Sequence, residues 1–395
     1  TANVCEYEKA KINTEKVVIN PVDEAEVDAA VAMIKKAKKP FIFVGGGAVL
    51  SGASESLVEF AHKMDAPVTD SLMGKGAFPG TDDLYTGMLG MHGTKPANFG
   101  VSKCDLLIAV GARFSDRVYG NANNFAPNAK IIHIDIDHAE INKNVKADVP
   151  IVGDCKEVLA GLTALVQPRE HSEWVKSFAE YNAIEYNRVI EKALNPTEGP
   201  LLMGEVARKV SEATENKAIL VTDVGQNQMM SCRYFKFTKP HSVITSGGLG
   251  TMGFGLPTAI GAAIANPEKR VICFSGDGSI MMNLQEMATL AEQNLPVTVI
   301  VFENGTLGMV YQQQKFIFEK TYSASEFAVS PDLLKIAEGF GIEAVDADKD
   351  PQWFLKAFDS KRKNKPCFVK GRVDPEESVL PFVPGGKANI DSIRD

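Results

Sequence analysis

Two short polar segments of this chain follow two apolar runs, and their side chains could together bind a metal ion. Asp277 follows the run 270–274 within the sequence Gly-Asp-Gly-Ser, and Asn304 follows the run 296–302. Both runs are typical of buried strands, and the carboxyl ends of parallel strands lie at one edge of a sheet. A carboxylate and an amide oxygen suit Mg²⁺, which commonly takes further oxygens from a bound phosphate. We therefore predict that Asp277 and Asn304 meet at a site for Mg²⁺ and a diphosphate.

The segment between these two positions is predicted to be a helix. Residues 280–293 carry apolar side chains at helical spacing on one side, namely Met282, Leu284, Met287, Leu290 and Ala291. This helix leaves a second interpretation open for Asp277, because aspartate at a helix start commonly accepts hydrogen bonds from the free backbone amides. Asn304 at the end of the next strand favours the metal site.

Length and composition indicate an ordinary globular protein. The chain has 395 residues, enough for two or three domains, and a net charge of −8 without a basic run, which argues against a nucleic-acid partner. No apolar stretch is long enough to span a membrane, and the polar residues 1–16 do not resemble a signal peptide. Six cysteines without CxxC spacing are expected to be reduced and buried. We expect a soluble, cytoplasmic protein.

Strand-like runs alternate with helical segments in both halves of the chain, which is typical of parallel sheets covered by helices. We predict an α/β fold with two doubly wound parallel-sheet domains at residues 17–166 and 201–372. Residues 167–200 are interpreted as a linker and 373–395 as a C-terminal tail. The predicted strands are 40–44, 66–69, 105–110 and 130–135 in the first domain, and 218–222, 242–245, 270–274, 296–302 and 366–370 in the second.

Three motifs of the second half resemble those of thiamine diphosphate (ThDP) enzymes, in which a Gly-Asp-Gly precedes an asparagine at the end of the next strand. The motifs are DVGQNQM at 223–229, SGGLGTMGFGLPTAIGAAIA at 246–265 and NGTLGMV at 304–310. They are similar in particular to the catalytic subunit of acetohydroxyacid synthase (acetolactate synthase). The resemblance implies that the second domain binds ThDP and Mg²⁺, with Asp277, Asn304 and the backbone carbonyl of Thr306 as the metal ligands.

The same resemblance assigns the residues that contact ThDP. Met252 would lie beneath the cofactor and hold it bent, so that its aminopyrimidine nitrogen approaches the thiazolium carbon. Taken alone, Met252 also fits a core methionine. The implied ThDP-binding residues are Val224, Gly225, Gln226, Asn227, Gly250, Thr251, Met252, Asp277, Gly278, Ser279, Asn304, Gly305, Thr306, Leu307, Gly308 and Met309.

Motifs of the first half resemble the flavin-binding middle domain of the same family. They are VGGGAVLSGA from residue 44, SLMGKGAFPG from 71, GMLGMHG from 87, VGARFSDRVYG from 110, HIDID from 133 and VGDC from 152. The implied FAD-binding residues are Gly46, Ser71, Leu72, Met73, Gly74, Leu89, Gly90, Met91, His92, Gly111, Arg113, Asp116, Arg117, Asp135, Ile136, Asp154 and Cys155. By resemblance, Arg113 would lie near the phosphates and Asp135 and Asp154 near the ribose or adenine. His92 is expected to pack at the flavin edge, and the flavin has no redox role in the overall reaction.

Five residues are expected to act on the cofactor or the substrates, namely Met252, Arg117, Asp116, Gln313 and Met309. The Arg117 guanidinium offers a planar fork for the carboxylate of a second 2-oxoacid, and Asp116 would fix that arginine. A surface salt bridge is the alternative interpretation of Arg117. Gln313 and Met309 would shape the acceptor pocket, and the tail near residues 381–389 would close over it.

The chain departs from the family pattern at three positions. Glu303 and Asn227 stand where the family usually has asparagine and histidine, and neither change removes a ligand. Gln313 stands where the biosynthetic enzymes have tryptophan, and it resembles the catabolic acetolactate synthases, which accept mainly pyruvate and lack the flavin motifs. Loss of the aromatic wall should reduce discrimination between acceptors that differ by one methylene, by roughly 1 to 3 kcal/mol.

Full-length members of the family begin with a pyrimidine-binding domain that supplies the glutamate needed to activate ThDP. No segment of residues 1–395 corresponds to it. We expect this domain to be supplied by the same polypeptide or by another chain, and the present chain alone to have little synthase activity. The resemblance also implies a homo-oligomer, and a regulatory subunit is a further candidate partner.

The function implied by the resemblance is decarboxylation of pyruvate and ligation of the two-carbon unit to a second 2-oxoacid, pyruvate or 2-oxobutyrate. The product, 2-acetolactate or 2-aceto-2-hydroxybutyrate, feeds branched-chain amino acid synthesis. Two alternatives stay open. A pyruvate oxidase with ThDP and FAD, or another carboligase, would share the cofactor motifs, whereas a non-catalytic cofactor-binding or assembly module would bind ThDP without turnover.

Overall fold

The computed structural model describes residues 22–195, 199–358 and 365–393, which form two α/β domains joined by a helical linker. Each domain contains a six-stranded sheet in which all neighbouring strands are parallel. Helices cover both faces of each sheet, so that each sheet has two apolar cores. The predicted fold class is confirmed.

The first domain is built on strands whose central members are buried on both faces. Its elements are α1 (Glu24–Lys36), β1 (Pro40–Val44), α2 (Gly46–Leu50), α3 (Ser54–Met64), β2 (Val68–Asp70), β3 (Tyr85–Met88), α4 (Lys95–Lys103), β4 (Leu106–Val110), β5 (Lys130–Asp135), β6 (Val149–Val152) and α5 (Cys155–Leu165), with 3₁₀ turns at Leu72–Gly74 and Ala122–Asn124. The strand order is β3-β2-β1-β4-β5-β6. Every residue of β1 and β4 is buried, as expected for the centre of a parallel sheet. The order reverses between these two strands, which leaves a crevice at their carboxyl ends.

The second domain repeats this architecture. Its elements are α8 (Met203–Ala213), β7 (Ile219–Thr222), α9 (Gln226–Tyr234), β8 (Val243–Thr245), α10 (Gly255–Ala265), β9 (Val271–Gly276), α11 (Asp277–Ile280), α12 (Met287–Glu292), β10 (Val297–Glu303), α13 (Gly308–Phe316), α14 (Leu333–Gly339), β11 (Glu343–Asp346), α15 (Trp353–Phe358) and β12 (Cys367–Arg372), with a 3₁₀ turn at Leu284–Glu286. The strand order is β11-β12-β10-β9-β7-β8. The order reverses between β7 and β9, so the loops after these strands border a crevice.

The linker consists of α6 (Ser172–Glu185), a π-helical turn at Tyr186–Ile190 and α7 (Glu191–Leu194). Trp174 and Phe178 of α6 belong to the core of the first domain. The Trp174 indole donates a hydrogen bond to the Pro40 carbonyl at 2.8 Å, and the Phe178 ring stacks on Phe41 with centroids 5.8 Å apart. The linker is therefore anchored to the first domain before it reaches the second.

The single helix predicted for residues 280–293 is wrong. The segment forms α11, the 3₁₀ turn Leu284–Glu286 and α12, and only part of the predicted apolar face is buried, since Met282 is 55% exposed whereas Met287 is buried. The break occurs at Asn283, whose φ of −141° leaves the helical region. Its side-chain amide donates to the Gly253 carbonyl at 2.9 Å, which ties this turn to the loop after β8.

Sequence analysis missed three strands, β3, β6 and β11, and each lies at the edge of its sheet. An edge strand has a neighbour on one side only, so its sequence does not need a continuous apolar run. In β11 only Val345 is buried, and in β3 only Thr86. These strands therefore lack the signal that identified the central ones.

The C-terminal tail is ordered and lies on both domains. The Val379 amide donates to Gln312 Oε1 at 2.7 Å in the second domain. Further along, the Val383 amide donates to the Met91 carbonyl at 2.8 Å, and the Asn389 side chain donates to the Val118 carbonyl at 2.8 Å in the first domain. The tail therefore connects the two domains over residues 374–393.

Two expectations about the whole chain can be compared with the described ranges. The cysteines in these ranges are buried and form no disulfide, whereas Cys5 lies outside the described residues. None of the helices in the part of the chain that the structure describes has the length and apolarity needed to cross a bilayer.

Candidate cofactor site

The ends of β9 and β10 meet, as the sequence predicts. The two strands pair in parallel with Phe302 opposite Gly276, so that Asp277 and Asn304 begin adjacent loops. The Asn304 and Gly305 amides donate to Asp277 Oδ2 at 3.0 and 2.7 Å, and the Gly278 amide donates to Oδ1 at 2.8 Å. Gly276 occupies the N-cap position of α11, so the N-cap interpretation of Asp277 is wrong. The buried carboxylate instead joins the two loops.

A cavity of about 140 Å³ opens beside this pair, at the carboxyl edge of the sheet. Most of the residues predicted to bind ThDP line it. They are Val224, Gly225, Gln226, Asn227, Met252, Asp277, Gly278, Ser279, Asn304, Thr306, Leu307, Gly308 and Met309. Sequence analysis missed Met203, Gly276, Phe302 and Val310 in the lining.

Three predicted residues lie next to the cavity without lining it. Gly250 and Thr251 are exposed in the loop after β8, and Gly305 contributes its amide to the Asp277 carboxylate. Two of the predicted catalytic residues, Met252 and Met309, line the cavity, whereas Gln313 is exposed on α13 and outside the lining. Gln313 lies on the same helix as Met309, three residues after Val310.

The cavity wall fits an anionic group that binds together with a cation. Gly225 has φ of +93° and is the N-cap residue of α9, and it lines the cavity together with Gln226 and Asn227 of the first helical turn. Free amides at a helix start favour anions. Asn227 Oδ1 and Thr306 Oγ1 are buried and have no hydrogen-bond partner among the described residues. These two orphan atoms, with the Asp277 carboxylate, provide the polar groups that a diphosphate and a hydrated Mg²⁺ would need.

Burial raises the pKa of Asp277, and the negative charge of Glu303 acts in the same direction. The three backbone amides that donate to the carboxylate lower this pKa again. A divalent cation in the cavity would favour the charged form of Asp277 more strongly than these amides do. The site is therefore better suited to holding Asp277 as an anion when a cation is bound.

Hydrogen bonds of its side-chain amide hold Gln226 in the wall of the cavity. Gln226 Nε2 donates to the Glu377 carbonyl at 2.8 Å and to Gln312 Oε1 at 3.3 Å, and Gln226 Oε1 accepts from Asn304 Nδ2 at 3.3 Å. A Cβ on Gly308 would lie 2.1 Å from Gln226 Oε1, so a larger residue there would displace the Gln226 side chain. Gln226 thus links Asn304 to the tail. Sequence analysis missed Gln312 and Glu377, because both act from outside the cofactor motifs.

Asp223 is fully buried and ties the loop after β8 to the sheet. Its carboxylate accepts hydrogen bonds from the Gly253 amide at 3.0 Å, the Gly255 amide at 3.1 Å and the Ser275 hydroxyl at 3.2 Å. This loop carries Met252 into the cavity. Asp223 lies within the DVGQNQM motif, but its role as an anchor could not be read from the motif.

The residues predicted to bind FAD all lie at the carboxyl edge of the first sheet, at the ends of its six strands or in the segments that follow them. The loops pack closely, since a Cβ on Gly45 would lie 2.2 Å from the Gly111 carbonyl. Met73 and Ile136 are about half exposed, at 50% and 51%, and Arg113 is exposed. An edge with exposed apolar side chains and an unburied arginine fits a long, partly aromatic ligand with phosphates.

Several of the predicted FAD residues have contacts within the protein. Asp154 caps α5 by accepting from the Lys156 amide at 2.9 Å, and Cys155 is buried with a pKa raised to about 12. His92 is buried against Phe382 of the tail, with centroids 5.3 Å apart, and burial lowers its pKa to about 4. The packing role expected for His92 therefore includes the tail. Arg117 and Asp116 are exposed in the loop after β4 and do not line the ThDP cavity.

Comparisons with known proteins identify both domains. Residues 27–162 match the family described as thiamine pyrophosphate enzyme, central domain, and residues 223–370 match the thiamine pyrophosphate enzyme C-terminal TPP-binding domain. The acetolactate synthase isozyme 1 large subunit of Escherichia coli is 42% identical over 394 residues, which cover 99% of this chain and 68% of that protein. The chain belongs to the acetolactate synthase large-subunit family.

Other relatives carry the same description. The "Probable acetolactate synthase large subunit" of Methanocaldococcus jannaschii is 43% identical over 92% of this chain and 62% of its own length. The acetolactate synthase large subunit of Haemophilus influenzae is 40% identical over 93% of this chain and 64% of its own length. The chain thus spans about two thirds of the length of these relatives, and less than that for several of them.

Glu377 gives this acetolactate synthase family member a pH-dependent contact between its tail and its cofactor domain. Both carboxylate oxygens accept from the Met203 amide at the start of α8, at 3.2 and 3.3 Å. Burial raises the pKa of Glu377 from 4.5 to about 7, which corresponds to roughly 3 kcal/mol. Because the folded protein holds this proton more tightly than the unfolded chain, the ionised carboxylate destabilises the fold above pH 7. The penalty disappears as the pH falls towards 4.5.

We expect Glu377→Gln to raise the free energy of unfolding by about 2 kcal/mol at pH 8.5 and by little at pH 5, since glutamine keeps an acceptor for the Met203 amide without the charge. Urea unfolding at both pH values measures the difference. Glu376→Gln is the matched control, because Glu376 is exposed and the Lys315 ammonium and Tyr311 hydroxyl lower its pKa. A Glu377→Gln protein less stable than the parent at pH 8.5 would contradict the assignment.

Proposed function

We propose that this chain provides the ThDP-binding part of an acetolactate synthase, which decarboxylates pyruvate and joins the two-carbon unit to a second 2-oxoacid. The product would be 2-acetolactate or 2-aceto-2-hydroxybutyrate, for branched-chain amino acid synthesis. The observation that carries the proposal is the meeting of Asp277 and Asn304 at a cavity within the TPP-binding domain. When bound, ThDP supplies the electron sink that decarboxylation of a 2-oxoacid requires.

We propose that Mg²⁺ is held by the Asp277 carboxylate, the Asn304 amide oxygen and the Thr306 carbonyl. Supporting this, Asn304 Oδ1 accepts only the Thr306 amide, at 3.0 Å, so one of its lone pairs stays available. The diphosphate would contact the loop at Gly225 and the start of α13. Met252 would support the ring system from below, and the apolar lining from Leu307 to Val310 would keep water from the reacting carbon.

The proposal is tested by titrating ThDP into the protein with Mg²⁺ and then with an excess of chelator, following heat or tryptophan fluorescence. We expect binding that depends on Mg²⁺, because the described residues that line the cavity include the Asp277 carboxylate and no lysine or arginine to balance a diphosphate. In the complete enzyme, acetolactate formation from pyruvate is then measured with the same cofactors. ThDP binding that is equally tight without a divalent cation would overturn the metal assignment, and absence of acetolactate would overturn the activity.

We further propose that the first domain binds FAD along the carboxyl edge of its sheet. The close approach of this edge to the ThDP domain supports the proposal, since a Cβ on Gly247 would lie 2.1 Å from the Met73 sulfur. The same contact favours a second candidate function, a flavin-dependent pyruvate oxidase. Peroxide formation and bleaching of the flavin by pyruvate would indicate the oxidase, whereas acetolactate without flavin reduction would indicate the synthase.

The acceptor preference is proposed to be relaxed, because Gln313 leaves the pocket without an aromatic wall. In the complete enzyme, Gln313→Trp should raise the preference for 2-oxobutyrate over pyruvate about tenfold. The two acceptors differ by one methylene, and about tenfold is the discrimination that a hydrophobic pocket gains from contact with one methylene. Gln313 is exposed on α13, so a larger side chain can be accommodated. Competition between the two acceptors, with both products quantified, gives the ratio. An unchanged ratio in Gln313→Trp, together with an unchanged ratio in Gln313→Asn, would show that this position does not select the acceptor.

Two kinds of partner are proposed from the names of the relatives. These are large subunits, so a small regulatory subunit is a candidate partner, and a homo-oligomer is the proposed assembly of the complete enzyme. The mass of the native particle, measured by light scattering with and without a candidate small subunit, tests both.

A further inference from the structure

A second and larger cavity, of about 800 Å³, lies between the two domains. It shares no lining residue with the ThDP cavity. One wall is the edge strand β3 with the loop before it, and another is the end of α6 with the π-helical turn. The third wall comes from α8, the end of α9 and residues 235–237. A volume of this size is within the range of small-molecule sites.

Four of the eight Asp, Glu, Lys and Arg side chains among the described residues of this cavity wall form two ion pairs. Lys75 Nζ contacts Asp70 Oδ1 at 3.0 Å and the Tyr85 hydroxyl at 2.9 Å, and the Tyr85 hydroxyl donates to Asp70 Oδ2 at 2.8 Å. Arg233 forms a buried ion pair with Glu185. These groups neutralise each other and do not need a ligand.

Among the cations of this cavity, Arg208 and Lys236 differ from Lys75 and Arg233, because no acidic side chain of the described residues pairs with either. Arg208 uses its Nε to donate to the Tyr234 carbonyl at 3.1 Å, which holds the guanidinium in place and leaves its two terminal nitrogens available. Both side chains are half-buried in the wall of the cavity. Two cations of the cavity wall are thus without an ion-pair partner among the described residues, although Asp82 and Asp83 also belong to the lining.

The environment of Lys236 shows the same deficit of negative charge. Burial lowers the pKa of Lys236 to about 8, and the positive charges of Arg208 and Lys75 add to this shift. The remaining acids of the cavity, Asp82 and Asp83, do not contribute to it. Asp82 is hydrogen-bonded to His62 at 2.9 Å and Asp83 is exposed on the loop before β3. A bound anion would relieve the repulsion between the two cations.

An aromatic side chain also faces this cavity. Tyr186 begins the π-helical turn Tyr186–Ile190 and is 48% exposed, and both Tyr186 and Ile190 line the cavity. Short π-helical turns occur frequently at functional sites. The ring and the aliphatic side chain offer an apolar surface to the part of a ligand that carries no charge.

We propose that this interdomain cavity binds a phosphate-bearing small molecule, with its phosphate on Arg208 and Lys236 and its apolar or aromatic body against Tyr186. The planar guanidinium matches two phosphate oxygens, and the ammonium contributes a point charge. Because the ligand would contact both domains and the linker, it would stabilise their relative position. This site is separate from the proposed ThDP site and shares His92 with the proposed FAD site.

The test uses the complete protein saturated with ThDP, Mg²⁺ and FAD, so that those sites are filled, and phenyl phosphate and inorganic phosphate as probes in calorimetric titrations. We expect phenyl phosphate to bind with a Kd of about 1 mM or below and inorganic phosphate to bind more weakly. Arg208→Gln combined with Lys236→Gln should weaken phenyl phosphate at least tenfold. Tyr186→Ala should weaken phenyl phosphate and leave inorganic phosphate unchanged.

Lys209→Gln is the matched control, since Lys209 follows Arg208 on α8, is largely exposed and pairs with Glu205. It should bind phenyl phosphate like the parent. Arg208→Lys combined with Lys236→Arg keeps both charges and should retain most of the binding if the double glutamine variant fails to fold. Failure of the parent protein to bind phenyl phosphate at millimolar concentration, or binding that the charge-removing variant retains, would overturn the proposal.

Discussion

Asp277→Asn is expected to weaken Mg²⁺-dependent binding of ThDP at least about a hundredfold. Among the described residues that line the cofactor cavity, Asp277 is the one with a carboxylate. At an effective dielectric constant of about 20, two unit charges 4 Å apart interact with about 4 kcal/mol. Removing the carboxylate therefore costs a divalent cation more interaction energy than this. Asparagine also turns an acceptor into a donor opposite the backbone amides of Gly278, Asn304 and Gly305, which no longer all find an acceptor.

Glu303→Gln is the control for this variant. Glu303 is the last residue of the neighbouring strand β10, and its carboxylate pairs with Lys370 at 3.0 Å and does not line the cavity. Glu303→Gln should bind ThDP within about threefold of the parent, since the Lys370 ammonium already balances the Glu303 charge. Titrations of Mg²⁺ at fixed ThDP compare the three proteins. If Asp277→Asn kept the affinity of the parent while remaining folded, Asp277 would not be a metal ligand.

Asp223→Ala is expected to lower the free energy of unfolding by about 3 kcal/mol or more. The substitution leaves the amides of Gly253 and Gly255 buried without their acceptor, and it removes one of the two acceptors of the Ser275 hydroxyl. Each buried donor that loses its partner costs roughly 1 to 3 kcal/mol. The loop that places Met252 beneath the cofactor would also be released, so ThDP affinity should fall at least about tenfold.

Chemical denaturation and ThDP titration together test this expectation. Asp223→Asn keeps one oxygen acceptor and should fall between the parent and the alanine variant in both measurements. Asp332→Ala removes an N-cap from α14, where the side chain accepts from the Lys335 amide at 3.2 Å, and should cost only about 1 kcal/mol without affecting ThDP. A loss of less than 1 kcal/mol in Asp223→Ala would show that water replaces the carboxylate and that the anchor is dispensable.

The central strands and the meeting of Asp277 with Asn304 could be predicted from sequence because local pattern and topology suffice for both. A parallel strand at the centre of a sheet is buried on both faces, so β1 and β10 read as continuous apolar runs. Once two such runs are joined by a helical crossover, their ends must lie at one edge, whatever the details of the crossover. The broken helix between them therefore did not affect the prediction of the site.

The supporting contacts could not be predicted, because they join residues that are far apart in sequence and carry no local signal. Gln226 and Glu377 are separated by 151 positions, and Gln312 contacts Val379 across 67. Glutamine is common at protein surfaces, and only the packing of the tail shows that Gln226 and Gln312 are buried. The interdomain cavity is unpredictable for the same reason, since Arg208 and Tyr186 belong to different elements.

The tail has a mechanical consequence for the two domains. Residues 374–393 hold Gln226 and Gln312 at one end and the loops that contain Met91 and Val118 at the other. A hinge motion that separates the domains must therefore strain the hydrogen bonds of Gln226, which neighbours Asn304. Proteolytic cleavage within this tail would therefore both uncouple the domains and loosen the cofactor pocket, although no peptide bond in the pocket itself is cut.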